Sequence, residues 1–197
     1  EGVSIANSPE DTKYSRAVKI ETENEKKITI EELSQQTGIG IEQLKRIEEN
    51  ADLPALSILL KIARVLGLRL GTLLDDLDNL GPAVSNISCA EVSFSTNSAR
   101  TPAHMCYHSL ARNKANRHME PFTIEISPIE EDEHELSSHE GEEFIVVTEG
   151  SIEITYGNEN YLLNTGESIY YDSIVPHHVH AHGGRTAKIL AVVYVPV

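Results

Sequence analysis

Ser137-Ser138-His139-Glu140-Gly141-Glu142-Glu143-Phe144-Ile145-Val146-Val147-Thr148-Glu149-Gly150 is the stretch on which the fold turns. Gly141 disfavours a helix, and Phe144-Ile145-Val146-Val147 is strand-like. Glu149-Gly150 signals a turn. His139 and Glu143 are an even number of residues apart, so on an extended chain they point to one face. A second stretch, Gly166-Glu167 through Val175-Pro176-His177, brings another imidazole into an opposing strand. Two imidazoles and one carboxylate are donors for a divalent metal with coordination positions left open.

Outward from these stretches the pattern stays β-rich. Thr123-Ile124-Glu125-Ile126, residues 143–148, 151–156, 168–171 and 189–195 read as strands, with a further turn at Gly157-Asn158. Upstream the period becomes helical. Ser15 is placed to cap a first helix through Ala17, Val18 and Ile20. Thr29 caps a second, with Glu31 and Glu32 in its first turn. Thr37-Gly38-Ile39-Gly40 is a tight turn, and Leu44 and Ile47 mark the apolar face of a third helix. Leu56 to Leu66 is a fourth, ended by Gly67, with a short helix expected over residues 69–74. Helices followed by strands imply two domains and exclude a βαβ fold. The expected division is a mobile tail at 1–13, an all-α domain at 14–75, a linker at 76–86 and an all-β domain at 87–197.

Among 197 residues there is no apolar run long enough for a membrane helix, and the first residues lack a basic-then-apolar signal pattern. No membrane partner is expected. Cys89 and Cys106 are too few for a disulfide framework and point to a reducing cytoplasm. The net charge of −15 is uneven. Residues 1–70 carry ten Lys or Arg against twelve Asp or Glu, and residues 71–197 six against nineteen. Any nucleic-acid contact therefore falls to the first part, through placed side chains rather than bulk charge.

The frame from Ile30-Glu31-Glu32-Leu33-Ser34-Gln35-Gln36-Thr37-Gly38-Ile39 through Ile41-Glu42-Gln43-Leu44-Lys45-Arg46-Ile47 to the 54–67 stretch resembles the phage-repressor-like (Xre family) helix-turn-helix. That resemblance implies a dimer whose recognition helix enters the major groove of an operator, with Gln43, Lys45 and Arg46 reading bases or phosphates. Glu42, Glu48, Glu49 and Asp52 oppose phosphate contact, and Ile30 replaces the polar residue usual there. A module that now serves packing or dimerisation is the competing reading.

The later half resembles a cupin, a double-stranded β-helix or jelly-roll barrel. In its first motif His139, Glu143 and Gly150 fall at the expected positions, with Ser137 where the first His is usual. In its second, Gly166 and His177 match, while Asp172, Ile174 and Ala181 replace Pro, Gly and Asn. The resemblance implies His139, Glu143 and His177 as ligands of iron, zinc, nickel or manganese. Strand alternation sends His178, His180 and His182 to the opposite face; a slipped register would make His178 the ligand instead. His134 is a further candidate ligand. Tyr107 and Arg117 are expected to line an effector pocket, since Arg112, Lys114 and Arg117 concentrate the cations of an acidic domain and suit an anionic molecule.

Helix-turn-helix followed by one cupin is similar to a bacterial class of transcriptional regulators, which implies a cytoplasmic, DNA-binding homodimer sensing a small molecule. Hydroxypropylphosphonate epoxidase shares the layout, the His-x3-Glu pair and the Val-Pro-His, here Val175-Pro176-His177. The alternative it implies is a mononuclear iron enzyme; other cupin enzymes are a third reading.

Overall fold

The computed structural model describes residues 28–49, 54–71, 80–87, 94–98, 101–112, 114–129 and 136–196. The helix expected near Ala17, together with Cys89 and His134, lies outside them.

Among the described residues three helices of the first domain stand out: α1 (Ile30–Thr37), α2 (Ile41–Glu48) and α3 (Leu56–Leu66). Thr29 starts α1 through a reciprocal cap. Its hydroxyl accepts from the Glu32 backbone N–H at 3.2 Å, and its own N–H donates to the Glu32 carboxylate at 2.9 Å. Gly38 ends α1 at φ 72°, a conformation glycine adopts without strain, and the chain turns into α2. Leu33, Ile39, Leu44, Ile47, Ile62 and Leu66 close on one another as the core of this domain.

The described residues of the second domain form nine antiparallel strands: β1 (Phe94–Ser98), β2 (Thr101–Ser109), β3 (Met119–Ile126), β4 (Glu142–Glu149), β5 (Ser151–Tyr156), β6 (Glu159–Asn164), β7 (Ser168–Asp172), β8 (His177–Ala181) and β9 (Ala187–Tyr194). They form a six-stranded sheet in the order β1-β2-β3-β9-β4-β7 and a three-stranded sheet in the order β6-β5-β8. Alternation fills the space between the sheets. Phe122, Ile124 and Ile126 of β3, Ile145 and Val147 of β4, Ile152 and Ile154 of β5, and Ile189 and Val193 of β9 are all buried. This is a two-domain α + β protein, an all-α helix-turn-helix unit followed by an all-β barrel.

Besides the linker expected from the sequence, the two domains meet through α3. One side of that helix, Ile62 and Leu66, belongs to the helical core. The other side, Leu56, Leu59 and Leu60, enters the apolar cluster of the barrel together with Leu70. Arg64 of α3 pairs with Glu140 in the loop before β4.

Candidate metal centre

The loop carrying His139 is held by backbone bonds before any side chain acts. Ser137 and His177 exchange N–H···O bonds of 2.9 Å in each direction, tying the loop to the start of β8. The His139 N–H donates to the Ser173 carbonyl at 3.0 Å, and the Ser173 N–H donates to the Gly141 carbonyl at 2.9 Å. Gly141 sits at φ 103°, and a Cβ there would lie 1.9 Å from the Tyr194 carbonyl oxygen. Only glycine fits, and so the chain passes from the loop into β4.

On β4, Glu143 pairs in register with Tyr171 of β7 on one side and Val193 of β9 on the other. Its side chain therefore points between the sheets. His139, Glu143 and His177 are all buried. His139 Nε2 lies 2.8 Å from Glu143 Oε1, and His177 Nε2 lies 3.5 Å from the same oxygen. One donor atom from each residue falls within 4.8 Å of the others, close enough to surround a single ion.

The outward ring nitrogens are also placed. His139 Nδ1 is 3.0 Å from the Glu140 carbonyl, and His177 Nδ1 is 2.8 Å from the Val175 carbonyl. A carbonyl only accepts, so each Nδ1 carries a proton and donates it. Each Nε2 is thereby turned inward towards Glu143, the ring orientation that metal-ligating imidazoles require once Nε2 gives up its own proton. The donor set thus fits a divalent ion, which would supply a Lewis-acidic centre with open positions.

Glu143 has two further partners. Tyr171 Oη donates to its Oε2 at 2.8 Å, and Ser173 Oγ donates to its Oε1 at 3.3 Å. Burial pushes this carboxyl up, but the hydrogen bonds and charge of His139 and His177 outweigh burial and hold it well below the usual range. Burial lowers His177, whereas Glu143 and the Val175 carbonyl raise it, and the net direction is up. The Tyr107 and Tyr171 phenols are pushed well above their ordinary value, by burial first and by the Glu143 charge second. Both are therefore neutral donors.

His139, Glu143 and His177 come together as the spacing predicts, and Tyr107 lies buried within reach of the Glu143 charge, edge-on to Phe122 at 5.7 Å between ring centroids. Arg117 lies apart from them. Its Nε donates to Glu120 at 2.7 Å, and it lines a cavity beneath α3. His178 and His180 stack on each other at 5.6 Å, and His180 and His182 approach Glu153 of β5 at 3.9 and 3.7 Å. Tyr171 and Ser173 were not singled out in the sequence. Their role depends on the β4–β7 pairing, which no local pattern reveals.

On α2, Leu44 and Ile47 are buried while Gln43, Lys45 and Arg46 are exposed. Lys45 Nζ lies 3.4 Å from Glu42.

Residues 24–78 match the Cro/C1-type HTH DNA-binding domain, and residues 123–193 match the cupin domain. The chain is thus a helix-turn-helix domain joined to a cupin barrel. The crystal structure of an HTH_3 family transcriptional regulator from Vibrio cholerae superposes over 94% of this chain and 96% of that one, with a TM-score of 0.66 at 22% identity, a likeness of fold. The (S)-2-hydroxypropylphosphonic acid epoxidase of Streptomyces wedmorensis is 33% identical over 92 residues, which span 44% of this chain and 46% of that protein. A crystal structure of FeII HppE covers 93% of this chain and 98% of its own, with a TM-score of 0.50 at 27% identity. Among the described residues no helix is long and apolar enough to cross a membrane.

Proposed function

We propose that the chain is a DNA-binding transcriptional regulator whose barrel holds one divalent metal through His139, Glu143 and His177. It acts as a cytoplasmic homodimer on an operator. Tyr107, a neutral phenol inside the barrel, contacts a small and anionic effector beside the metal. The observation that carries this reading is the division of α2. Its apolar face is spent on the helical core, and Gln43, Lys45 and Arg46 stand outward on the helix that such domains lay in the major groove. The acidic neighbours Glu42 and Glu49 make binding depend on these few contacts rather than on a basic surface.

The supporting experiment is gel retardation of DNA upstream of the chain's own coding region, at low salt and then at rising salt. A shift that weakens as salt rises supports the reading, because phosphate contacts act by counterion release. No shift at low salt removes it.

A second reading rests on the triad together with the 27% identity to FeII HppE over nearly the whole chain. It makes the barrel a mononuclear iron enzyme. Anaerobic loading with Fe(II), addition of hydroxypropylphosphonate and admission of oxygen decides it, with epoxide formed over multiple turnovers as the positive result.

A further inference from the structure

Beneath α3, between the two domains, lies a cavity of about 220 Å³. At ~30 Å³ per water it has room for about seven waters, or for one small organic molecule. Its apolar walls come from both sides: Leu60, Leu68 and Leu70 from the helical side, and Val195 from the end of the barrel. Three arginines reach it as well, in a chain of net charge −15. Two of them are committed to carboxylates. Arg64 pairs with Glu140, and Arg117 pairs with Glu120 in an ion pair that is itself buried. Arg69 makes no ion pair among the described residues.

An apolar cavity with a guanidinium in its wall that pairs with no carboxylate among the described residues suits an amphipathic anion. The planar fork of Arg69 can take a carboxylate through two parallel N–H···O bonds. An aliphatic or aromatic body would then displace water from the leucine and valine walls. None of His139, Glu143, His177 or Tyr107 lines this cavity, so it is a different place from the interior of the barrel.

We propose that the cavity between α3 and the barrel is a ligand site for a small monocarboxylate with an apolar body, its charge on Arg69 and its body against Leu60, Leu68, Leu70 and Val195. Because both domains supply walls, the occupant bridges them. α3 is also the helix that packs α1, so a molecule held here acts on the helical domain directly, without passing through the metal centre. The binding claim stands whether or not the helical domain reads DNA.

The test is isothermal titration of the full chain, stripped of metal, with hexanoate and with hexan-1-ol, its uncharged counterpart. Hexanoate binds saturably at one per chain, and hexan-1-ol binds at least about tenfold more weakly, the share expected of a charge-assisted hydrogen bond. Arg69→Gln weakens hexanoate by the same factor or more. Val195→Phe, which fills the cavity from the barrel side, weakens both molecules; melting curves check that each variant is folded. Equal affinity of wild type and Arg69→Gln for hexanoate places the anion elsewhere, the barrel included, and overturns the proposal. So does the absence of saturable binding at millimolar hexanoate.

Discussion

Removing one oxygen atom, by Tyr171→Phe, tests how the barrel holds its carboxylate. Tyr171 Oη donates to Glu143 Oε2 at 2.8 Å, while the ring packs against His177 at 5.0 Å and Tyr156 at 5.3 Å between centroids. Phenylalanine keeps those ring contacts and deletes only the donor. A hydrogen bond to a charged acceptor contributes about 1.5–3 kcal/mol. At ~1.4 kcal/mol per decade, that is roughly ten- to a hundredfold in affinity, the same range as the loss of an outer partner at a metal ligand. Metal affinity is read by competition with a coloured chelator at fixed pH, with Zn(II) as the probe. Tyr171→Phe should lower it by that factor, and the metal-free protein, which loses the same buried bond, should melt roughly 3–12 °C lower. Ser173→Ala, which removes the longer 3.3 Å bond, should cost less. Affinity within about twofold of wild type for Tyr171→Phe refutes the claim that this phenol orients Glu143.

Other expectations follow from the same geometry. Gly141→Ala forces a Cβ against the Tyr194 carbonyl at a positive φ, so stability should fall by about 3 kcal/mol or more. For a chain of this size that lowers the melting temperature by roughly 6–12 °C; an unchanged melt contradicts the contact. Glu143 is held low and His177 high in the metal-free protein. The carboxylate therefore adds stability above its unfolded pKa and loses it as pH falls through the depressed value. The imidazolium adds stability below its unfolded pKa and loses it as pH rises through the raised one. Metal must displace the His177 proton, so affinity should climb as pH rises from the ordinary imidazole value through the raised one, while metal-free stability declines; a flat affinity profile opposes this. Lys45→Ala and Arg46→Ala should each weaken operator binding and reduce its salt dependence, as a fluorescence-anisotropy titration would show.

Much of this was legible in the sequence because it is local. Thr29 and Glu32 form the reciprocal cap within four residues, and Gly38 and Gly67 stop their helices by conformation alone. His139, Gly141 and Glu143 lie within five residues, so spacing fixed which side chains share a face. Val175-Pro176-His177 leads into β8, and of its histidines His177 is the buried one, on the same face as Val179 and Ala181. What stayed hidden depends on distant pairing. β6 (Glu159–Asn164) is mostly exposed and shows no apolar alternation, so its sequence resembles a loop. Tyr171 and Ser173 become partners of Glu143 only through the β4–β7 register. α3 reads as an ordinary amphipathic helix, and that it serves two cores at once appears only when the barrel is packed against it. Arg117 belongs to a run of cations that suggested an anion site near Tyr107; folding places it under α3, against Glu120.

Metal content of the purified protein, measured by elemental analysis on wild type and on His139→Ala, His177→Ala and His180→Ala, tests the central claim about the barrel most directly. The geometry predicts tightly bound metal at one per chain in wild type and His180→Ala, and its loss in His139→Ala and His177→Ala, because the two rings of the triad face Glu143 and His180 faces the other side of its strand. Equal metal in all four proteins would contradict the assignment of His139, Glu143 and His177 as the ligands.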